Sequence, residues 1–238
     1  MARKVFFIVV AGGSGTRMGS EIPKQFLTLD GRAILHMSIQ ALLEAAPEAG
    51  VVTVLPAGHI PYWKDYCLEH NFLAPQVLVP GGLTRYHSVK AALAKVPEGA
   101  IAAIHDGVRP LVPPSLVREM LDAVETLSAR ALVPCLPATD TLKVLQKGEG
   151  PFLEPKAGAG QPLRQEMFAV QTPQVFLSED IKAAYEGAYD TSFTDDSSVA
   201  MAAGIPVSFC RGEKNNLKIT TPEDLSLAAA LIEINSRR

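Results

Sequence analysis

A glycine-rich segment directly behind a short apolar run constrains this chain more than any other feature of its sequence. The apolar run is Val5–Val10, and residues 11–24 continue as AGGSGTRMGSEIPK. A short apolar run bounded by glycines is typical of an interior parallel strand, and ligands bind beyond the carboxyl ends of such strands. Glycines there let backbone N–H groups approach a polyphosphate closely. The segment therefore predicts a triphosphate cradle.

The spacing within this segment excludes the two commonest phosphate-binding motifs. A dinucleotide fingerprint that starts at Gly13 passes Gly15 but meets Met18 where its third glycine is needed. A Walker-type loop needs Gly-Lys-Ser/Thr, which is absent. The remaining pattern, G-G-x-G-[TS]-R-M-G followed by P-K, resembles the signature loop of sugar-phosphate nucleotidyltransferases. In that resemblance Arg17 and Lys24 face the phosphates. The alternative is a glycine-rich turn with solvated charges.

Composition limits the kinds of partner that the chain can have. Its 238 residues carry 22 Lys and Arg against 25 Asp and Glu, a net charge of −3, with no block of like charge. Nucleic acid and anionic membranes are therefore not expected as partners. A hydrophobic fraction of 47% supplies a large core, and no stretch approaches the roughly 20 apolar residues of a membrane helix. The three cysteines lack CxxC spacing, so we expect a reducing, cytoplasmic location.

Apolar runs and helical patterns alternate along most of the chain. Short strands are predicted at Val5–Val10, Val51–Leu55, Gln76–Val79, Ile101–His105, Ala131–Cys135 and Val207–Phe209. Helices are predicted at about 35–46, 60–70, 84–95, 114–128, 178–188, 196–203 and 222–235. This alternation predicts an α/β fold, a Rossmann-like and mainly parallel sheet with helices on both faces. No linker marks a second domain, so residues 1–238 are expected to form a single nucleotidyltransferase domain.

The segment at about 138–168 departs from this alternation. It carries four glycines, three prolines and few large apolar residues, so it contributes little to a core and should protrude. The stretch Thr141–Leu145 alternates like a strand, which favours a β-hairpin arm over a disordered surface loop. An arm that reaches a second subunit would bury its exposed edges. We therefore expect a dimerisation arm here.

An acidic residue follows the fourth predicted strand. Asp106 should face the same crevice as the glycine loop, because both lie beyond the carboxyl ends of parallel strands. One carboxylate close to phosphates is typical of Mg²⁺ sites, in which phosphate oxygens and water fill the remaining positions. Arg109, three residues on, would suit a second anionic substrate. The alternative is an ordinary turn at a strand end, since Asp-Gly is a common turn pair.

Three further polar segments offer ligand-binding groups. Gly82 permits close backbone approach, and Ser88 offers a hydroxyl to a base edge. The segment Thr191–Ser198 includes Thr194. The alternative interpretation is that this segment serves as a helix cap and nothing more. Lys218 is expected in a short strand between apolar side chains, either as an edge guard or as an anion ligand.

Together these segments supply Arg17, Lys24, Arg109 and Lys218 against one well-placed acid, Asp106. This balance fits two phosphorylated substrates bridged by a metal. A phosphate monoester nucleophile is mostly dianionic at pH 7, because its second pKa is about 6, so no general base is required. The histidines are isolated in the sequence and support neither a zinc site nor a Ser-His-Asp triad. Catalysis would consist of holding two anions in line and neutralising charge on the α-phosphate and pyrophosphate.

Six motifs occur in the order typical of one family. The chain resembles the 2-C-methyl-D-erythritol 4-phosphate cytidylyltransferases in AGGSGTRMG with P-K, GG…R..SV at 81–89, HDGVRP at 105–110, QTPQ at 171–174, TDDS at 194–197 and NLKIT at 216–220. The resemblance spans nearly the whole chain. It implies attack of methylerythritol phosphate on the α-phosphorus of CTP, with Mg²⁺, to give the CDP-linked product and pyrophosphate in isoprenoid precursor biosynthesis.

The resemblance also implies roles for individual residues. The catalytic groups would be Arg17, Lys24, Arg164 and Lys218. The nucleotide would be held by Ala11, Gly12, Gly13, Ser14 and Gly15 together with Gly82 and Ser88. Asp106 would serve the metal and both substrates, and the methylerythritol phosphate would contact Arg109, Thr141, Thr194 and Lys218. Arg164 would reach the neighbouring subunit's site from the arm, so a homodimer is expected.

Two departures from the family pattern keep alternatives open. Many members have an acidic residue where this chain has Leu83, so a polar contact to the nucleotide is lost. The residues around Arg164 lack the usual Asp-Arg pair, a feature shared with relatives that use ribitol 5-phosphate. The remaining alternatives are a nucleotidyltransferase for another sugar phosphate or base, and a nucleotide-binding regulatory protein without turnover.

Overall fold

The computed structural model describes residues 2–13 and 23–236 and is built on a mixed eight-stranded sheet. In chain order the strands are β1 Val5–Val10, β2 Thr28–Leu29, β3 Arg32–Ala33, β4 Gly50–Leu55, β5 Gln76–Pro80, β6 Ile101–Asp106, β7 Ala131–Pro137, β8 Leu145–Lys147, β9 Leu153–Pro155, β10 Phe168–Val170, β11 Gln174–Leu177 and β12 Ser208–Arg211. The order across the main sheet is β10-β7-β11-β6-β1-β4-β5, and β12 also pairs with β7. The pairs β2-β3 and β8-β9 form separate two-stranded sheets.

Parallel pairing aligns the strand ends that matter for binding. Strand β1 runs parallel to both β4 and β6, with Val10 opposite Val54 on one side and Asp106 on the other. Beyond the ladder, Gly107 N donates to Val10 O at 2.9 Å, which keeps the segments after β1 and β6 adjacent. The end of β1, which precedes the glycine-rich segment, therefore lies next to Asp106.

Side-chain alternation along β1 supplies both faces of the core. Phe7 and Val9 belong to the buried cluster that includes helix residues 35–45 and 116–124, whereas Ile8 belongs to the cluster on the opposite face. Because successive strand side chains point to opposite faces, a fully apolar strand must be covered on both. The apolar run at Val5–Val10 is explained by this two-sided burial.

Seven helices lie within the described residues: α1 Ile34–Ala45, α2 Ile60–Glu69, α3 Arg85–Leu93, α4 Pro114–Glu125, α5 Ser178–Ala184, α6 Asp196–Ala202 and α7 Pro222–Ser236. Each predicted helix is confirmed, with ends that shift by one to four residues. Proline stands at the first position of α4 and α7, where its missing N–H costs no helical hydrogen bond. The α/β class and the mainly parallel sheet with helices on both faces are likewise confirmed.

Some local expectations were wrong. Lys218 lies in an irregular segment rather than a strand, because Ile219 N donates to Val108 O in a loop contact instead of joining a ladder. The antiparallel strands β10 and β11 were not predicted, because their three and four residues are placed by pairing with β7 and β6. The first strand of the arm begins only at Leu145, so most of the alternating stretch from Thr141 precedes it.

The segment expected to form an arm contains the β8-β9 hairpin. Its strands pair Leu145 with Pro155 and Lys147 with Leu153, and every residue of both strands is exposed. Backbone contact between Ala138 N and Met167 O, at 2.8 Å, closes the base of the segment. The predicted β-hairpin is thus present. Among the described helices, none combines the length and apolar character needed to cross a bilayer.

Candidate active site

Two cavities open at the carboxyl ends of the parallel strands. The first, of about 330 Å³, is lined by residues 10–13, 24, 25, 82–85, 88, 106, 108 and 218. The second, of about 420 Å³, is lined by residues 85, 106, 109, 170–172, 174, 194, 195, 197, 198, 201, 209 and 218. Arg85, Asp106 and Lys218 line both cavities. The two spaces therefore meet at these three charged side chains.

Backbone bonds and a buried glutamine fix the start of the glycine-rich loop. Ala11 N donates to Val54 O at 2.9 Å, and Gln25 Nε2 donates to Ala11 O at 2.8 Å. Gly12, Gly13 and Lys24 then line the first cavity, with Lys24 opening a short 3₁₀ turn at Lys24–Phe26. The predicted residues Ser14, Gly15 and Arg17 lie outside the described part of the chain.

The loop after β5 forms the opposite wall of the first cavity. The buried Ser88 hydroxyl accepts from Gly82 N and donates to Thr84 O, each at 3.0 Å. A Cβ on Gly82 would lie 2.5 Å from the Cβ of His87, so only glycine fits this turn. Thr84 caps α3, and Leu83 is 97% exposed at the cavity's edge. Gly82 and Ser88 therefore lie together in this wall, and the Ser88 hydroxyl is already engaged within the loop.

Asp106, at the end of β6, is surrounded by three cations. Its Oδ2 lies 2.9 Å from Lys218 Nζ and 3.4 Å from Arg109 Nε, while its Oδ1 lies 3.9 Å from Arg85 Nε. Burial raises the pKa of Asp106, but the charges of Arg85, Lys218 and Arg109 outweigh it and hold that pKa well below its usual range. The carboxylate is therefore ionised throughout the physiological pH range.

Arg109 and Lys218 are brought to Asp106 by the segment near residue 216. Arg109 is buried and donates from Nη1 to Asn216 O at 2.8 Å, while Asn216 Nδ2 donates to Thr172 O at 2.8 Å. Burial lowers the pKa of Arg109, and the adjacent Asp106 acts in the opposite direction. Lys218 is not an edge guard, since it lies outside any strand and forms an ion pair with Asp106.

The wall of the second cavity at Thr194 is the start of α6. Asp195 is the N-cap of that helix, and its carboxylate accepts from Ser198 N at 2.9 Å and Gln174 Nε2 at 2.7 Å. The helix-cap interpretation of this segment is therefore confirmed for Asp195. Thr194 lines the cavity, and its backbone N donates to Ser198 Oγ at 3.1 Å, so the cap holds the backbone of Thr194 in place.

A family model described as IspD: 2-C-methyl-D-erythritol 4-phosphate cytidylyltransferase matches residues 5–234 of this chain. The chain belongs to this family. The family resemblance predicted from the six motifs is thereby confirmed.

Curated relatives and solved structures agree with the family match. A 2-C-methyl-D-erythritol 4-phosphate cytidylyltransferase of Bacteroides thetaiotaomicron is 39% identical over 225 residues, covering 94% of this chain and 98% of the relative. The Porphyromonas gingivalis protein of the same name is 39% identical over 234 residues, covering 98% and 99%. The crystal structure of the Thermus thermophilus cytidylyltransferase superposes with a TM-score of 0.73 at 31% identity, covering 98% of this chain and all of that chain.

Not every predicted residue of this cytidylyltransferase-family chain reaches the two cavities. Thr141 and Arg164 belong to the arm segment and line neither cavity of their own chain. Arg164 instead donates from Nη1 to Thr139 O at 3.5 Å. The side chains of Thr141 and Arg164 are both exposed. The described chain by itself thus assembles Ala11, Gly12, Gly13, Lys24, Gly82, Ser88, Asp106, Arg109, Thr194 and Lys218, but not the two arm residues.

Several site residues of this family member were missed from the sequence. Gln25 acts through a backbone contact that no local pattern reveals, whereas Thr172 and Asn216 lie within the motifs at 171–174 and 216–220 but were given no individual role. Arg85 lines both cavities and is the arginine of the motif at 81–89, but it was given no individual role. A second signal for Arg85 is its charge, because a cation at a helix N-terminus opposes the helix dipole.

The histidine nearest the candidate site is buried beneath it. His105 Nδ1 lies 3.1 Å from Thr172 Oγ1, and His105 Nε2 lies 3.1 Å from Arg109 O. Burial lowers the pKa of His105 to about 4. A neutral, fully enclosed ring that already has two partners supports the loop after β6 and is poorly placed to accept a substrate proton. No group of three His, Cys, Asp or Glu side chains suited to a metal occurs among the described residues.

Proposed function

We propose that this chain transfers CMP from CTP to 2-C-methyl-D-erythritol 4-phosphate and releases pyrophosphate. The observation that carries the proposal is the meeting of two cavities at Asp106 and Lys218 in a member of this cytidylyltransferase family. Catalysis by approximation requires two substrate sites that share one reacting point. The first cavity would take CTP and the second would take the sugar-alcohol phosphate.

The reaction needs charge neutralisation more than proton transfer. An oxygen of the acceptor phosphate forms a bond to the α-phosphorus of CTP, while the bond from that phosphorus to the pyrophosphate oxygen breaks. The acceptor is mostly dianionic at pH 7, since its second pKa is about 6, and needs no base. Lys24, at the wall of the first cavity, would stabilise charge on the phosphates, and Arg17 is expected to share this role.

The acceptor side draws on groups around Asp106. Lys218 is 43% exposed and can turn from the carboxylate toward a bound phosphate, whereas Arg109 is held by Asn216 and fixes the position of Asp106. Thr194 offers a hydroxyl on the facing wall. Met201 lines the same cavity, is 50% exposed and would accept a carbon that bears a methyl group. This apolar side chain favours methylerythritol phosphate over the more polar ribitol phosphate.

Mg²⁺ is part of the proposal, and the chemistry of the donor set fits it. Mg²⁺ sites that use substrate phosphates commonly need only one or two protein carboxylates. Asp106 is ionised and lies in the wall of the first cavity, so its carboxylate can hold a cation beside a bound triphosphate. When bound there, Mg²⁺ would neutralise charge on the triphosphate.

A homodimer is also proposed, with the arm at about 138–168 as the contact. Phe168, Val170 and Phe209 are 53%, 39% and 49% exposed on a cavity-lining surface beside the arm, and such an apolar surface suits a subunit interface. Arg164 and Thr141 do not reach the cavities of their own chain, so they are proposed to serve those of the partner. The three cysteines are free thiols, which supports the expected cytoplasmic location.

Pyrophosphate release by the purified protein with CTP and Mg²⁺ tests the function. We expect release that depends on methylerythritol phosphate and falls strongly when ribitol 5-phosphate replaces it. Competition among CTP, UTP, ATP and GTP tests the base, with CTP expected to bind most tightly. Release only with ribitol phosphate, or a clear preference for another nucleotide, would reassign the substrate.

A further inference from the structure

Arg85 occupies an unusual position between the two cavities. It is the first residue of α3, where the helix dipole disfavours a cation, and it lines both spaces. Its Nε points toward Oδ1 of Asp106 at 3.9 Å. A side chain with this charge at this junction can meet anionic groups of either bound substrate.

The orientation of Arg85 is set by a residue from a distant part of the chain. Asp196, the first residue of α6, is fully buried and accepts from both terminal nitrogens of Arg85, at 2.7 Å to Oδ1 and 2.6 Å to Oδ2. Tyr185, also buried, donates its hydroxyl to Asp196 Oδ1 at 2.6 Å. A bidentate pair fixes the plane of the guanidinium as well as its position.

This pairing leaves part of the guanidinium for other partners. Asp196 takes one hydrogen from each terminal nitrogen, so Nε–H and two further N–H groups of Arg85 remain, and the side chain is 29% exposed. Burial lowers the pKa of Arg85, but the charge and hydrogen bonds of Asp196 outweigh it and leave the pKa above its usual value. The guanidinium is therefore charged and held in a fixed orientation, and it has N–H donors that Asp196 does not take.

Fold stability alone does not account for such a pair. Replacing a buried ion pair by well-packed apolar side chains is often neutral or stabilising, so a buried pair gives little net stability. Here one member of the pair, Arg85, also lines both cavities and lies beside the Asp106 carboxylate at their junction. The role of the ion pair is better explained by the position in which it holds Arg85.

We propose that Asp196 and Tyr185 are positioning residues that hold the Arg85 guanidinium at the junction of the two cavities as a binding group for the phosphates of the bound substrates. The inference rests on the proposed function for the identity of those substrates. Arg85 is then part of the binding site, and Asp196 and Tyr185 affect substrate binding only through the position of Arg85.

A double-mutant cycle tests this dependence. Asp196→Asn and Arg85→Ala are each expected to weaken binding of CTP with Mg²⁺ by about tenfold in calorimetry, and to lower kcat/KM for methylerythritol phosphate by about 100-fold. In the Arg85→Ala background, Asp196→Asn should change either quantity by no more than about twofold. Tyr185→Phe should give a smaller loss, which also disappears in that background.

The control is a second bidentate pair away from the cavities. Arg130 donates to Asp180 at 2.9 and 2.6 Å on the surface, and Asp180→Asn should leave both quantities unchanged. All measurements are made below the unfolding temperature of each variant, since loss of a buried pair lowers stability as well. Asp196→Glu, which retains the carboxylate, should recover part of the activity.

The outcomes separate the inference from the proposed function. Losses for Asp196→Asn that persist in full in the Arg85→Ala background, or a folded Asp196→Asn variant with wild-type binding and turnover, would overturn the positioning role. CTP binding that follows the expected cycle without any turnover of methylerythritol phosphate would reject the proposed acceptor and leave the positioning role supported. Absence of CTP binding by the wild-type protein would reject both.

Discussion

Gly82 shows how much of the candidate site depends on a single small residue. Its backbone N donates to the Ser88 hydroxyl, and a Cβ at this position would lie 2.5 Å from His87 Cβ and 3.3 Å from Ser88 N. The first turn of α3 and the wall of the first cavity therefore require glycine here. A side chain would force the loop away from the space proposed for the nucleotide.

Gly82→Ala is expected to weaken CTP binding by about tenfold or more, because the wall must shift to admit the methyl group. Gly58→Ala is the matched control, since a Cβ on Gly58 meets nothing within 4 Å and lies outside both cavities. Calorimetric titration of both variants with CTP and Mg²⁺ measures the difference. Equal affinities of the two variants would show that this turn does not bear on the nucleotide.

Two buried histidines make stability depend on pH. Burial, aided by Arg32, lowers the pKa of His36 to about 4, and burial also lowers that of His105 to about 4. Both titrate near 6.5 in the unfolded chain. Between these values the unfolded chain binds more protons, so the free energy of unfolding rises with pH. Because of each histidine, the free energy of unfolding should fall by up to about 3 kcal/mol as pH falls from 6.5 to 4.

His36→Gln should therefore lose less stability on acidification than the wild-type protein. His36 stacks on Phe72, lies 3.1 Å from the hydroxyl of Tyr66 and lines neither cavity, so the variant isolates the folding effect. Urea unfolding at pH 7, 6, 5 and 4 measures the free energy in each case. If the curves for variant and wild type stay parallel across this range, the His36 ring is not kept neutral by burial.

At the level of elements, the arm is the segment whose role reaches beyond one chain. Every residue of its hairpin strands is exposed, and the apolar side chain of Phe168 at its base and that of Phe209 on the neighbouring β12 are about half exposed. A free hairpin of three-residue strands gains little stability by itself. Contact with a second copy would cover both the hairpin edges and this apolar surface.

Deletion of residues 145–162, with a short Gly-Ser link, should convert a dimer into a monomer in sedimentation. Loss of the partner's Arg164 and Thr141 from each site should accompany dissociation, so turnover should fall even at saturating CTP. Arg164→Ala is the control that removes the charge while leaving the hairpin intact, and it should lower activity without dissociating the dimer. An unchanged dimer after the deletion would exclude the arm from the interface.

Some elements could be predicted from the sequence because their signals are local. The run at Val5–Val10 is long enough to identify a buried strand, and the prolines at 114 and 222 mark helix starts. Strand β11 could not be predicted in the same way, because its four residues are placed by antiparallel pairing with β6, more than 60 residues earlier in the chain. Tertiary pairing, and not local propensity, determines such a strand.

At the scale of the whole molecule, the candidate site is a product of topology. The parallel arrangement of β1, β4, β5 and β6 brings the glycine-rich loop, the Gly82 loop and Asp106 to one edge of the sheet. This convergence could be predicted, because parallel strands end on the same side. Lys218 and Arg109 also reach Asp106 as the motifs indicated.

The Arg85 and Asp196 pair could not be predicted in this way. These residues are separated by 111 positions, and their contact depends on how α3 and α6 pack. Each residue alone has an ordinary local explanation, as a charge at a helix start. Only the assembled fold shows that the two N-termini face each other beside both cavities.

The central claim is that the two cavities are the two halves of one active site. A crystal structure with methylerythritol phosphate and a CTP analogue that carries a methylene bridge between the α- and β-phosphates tests it most directly. We expect the α-phosphorus beside Asp106 and Lys218, with an acceptor phosphate oxygen about 3 to 3.5 Å away and in line with the bridging methylene. Ligands bound in separate regions, or a triphosphate outside the cavity lined by Gly12, Gly13 and Lys24, would contradict it.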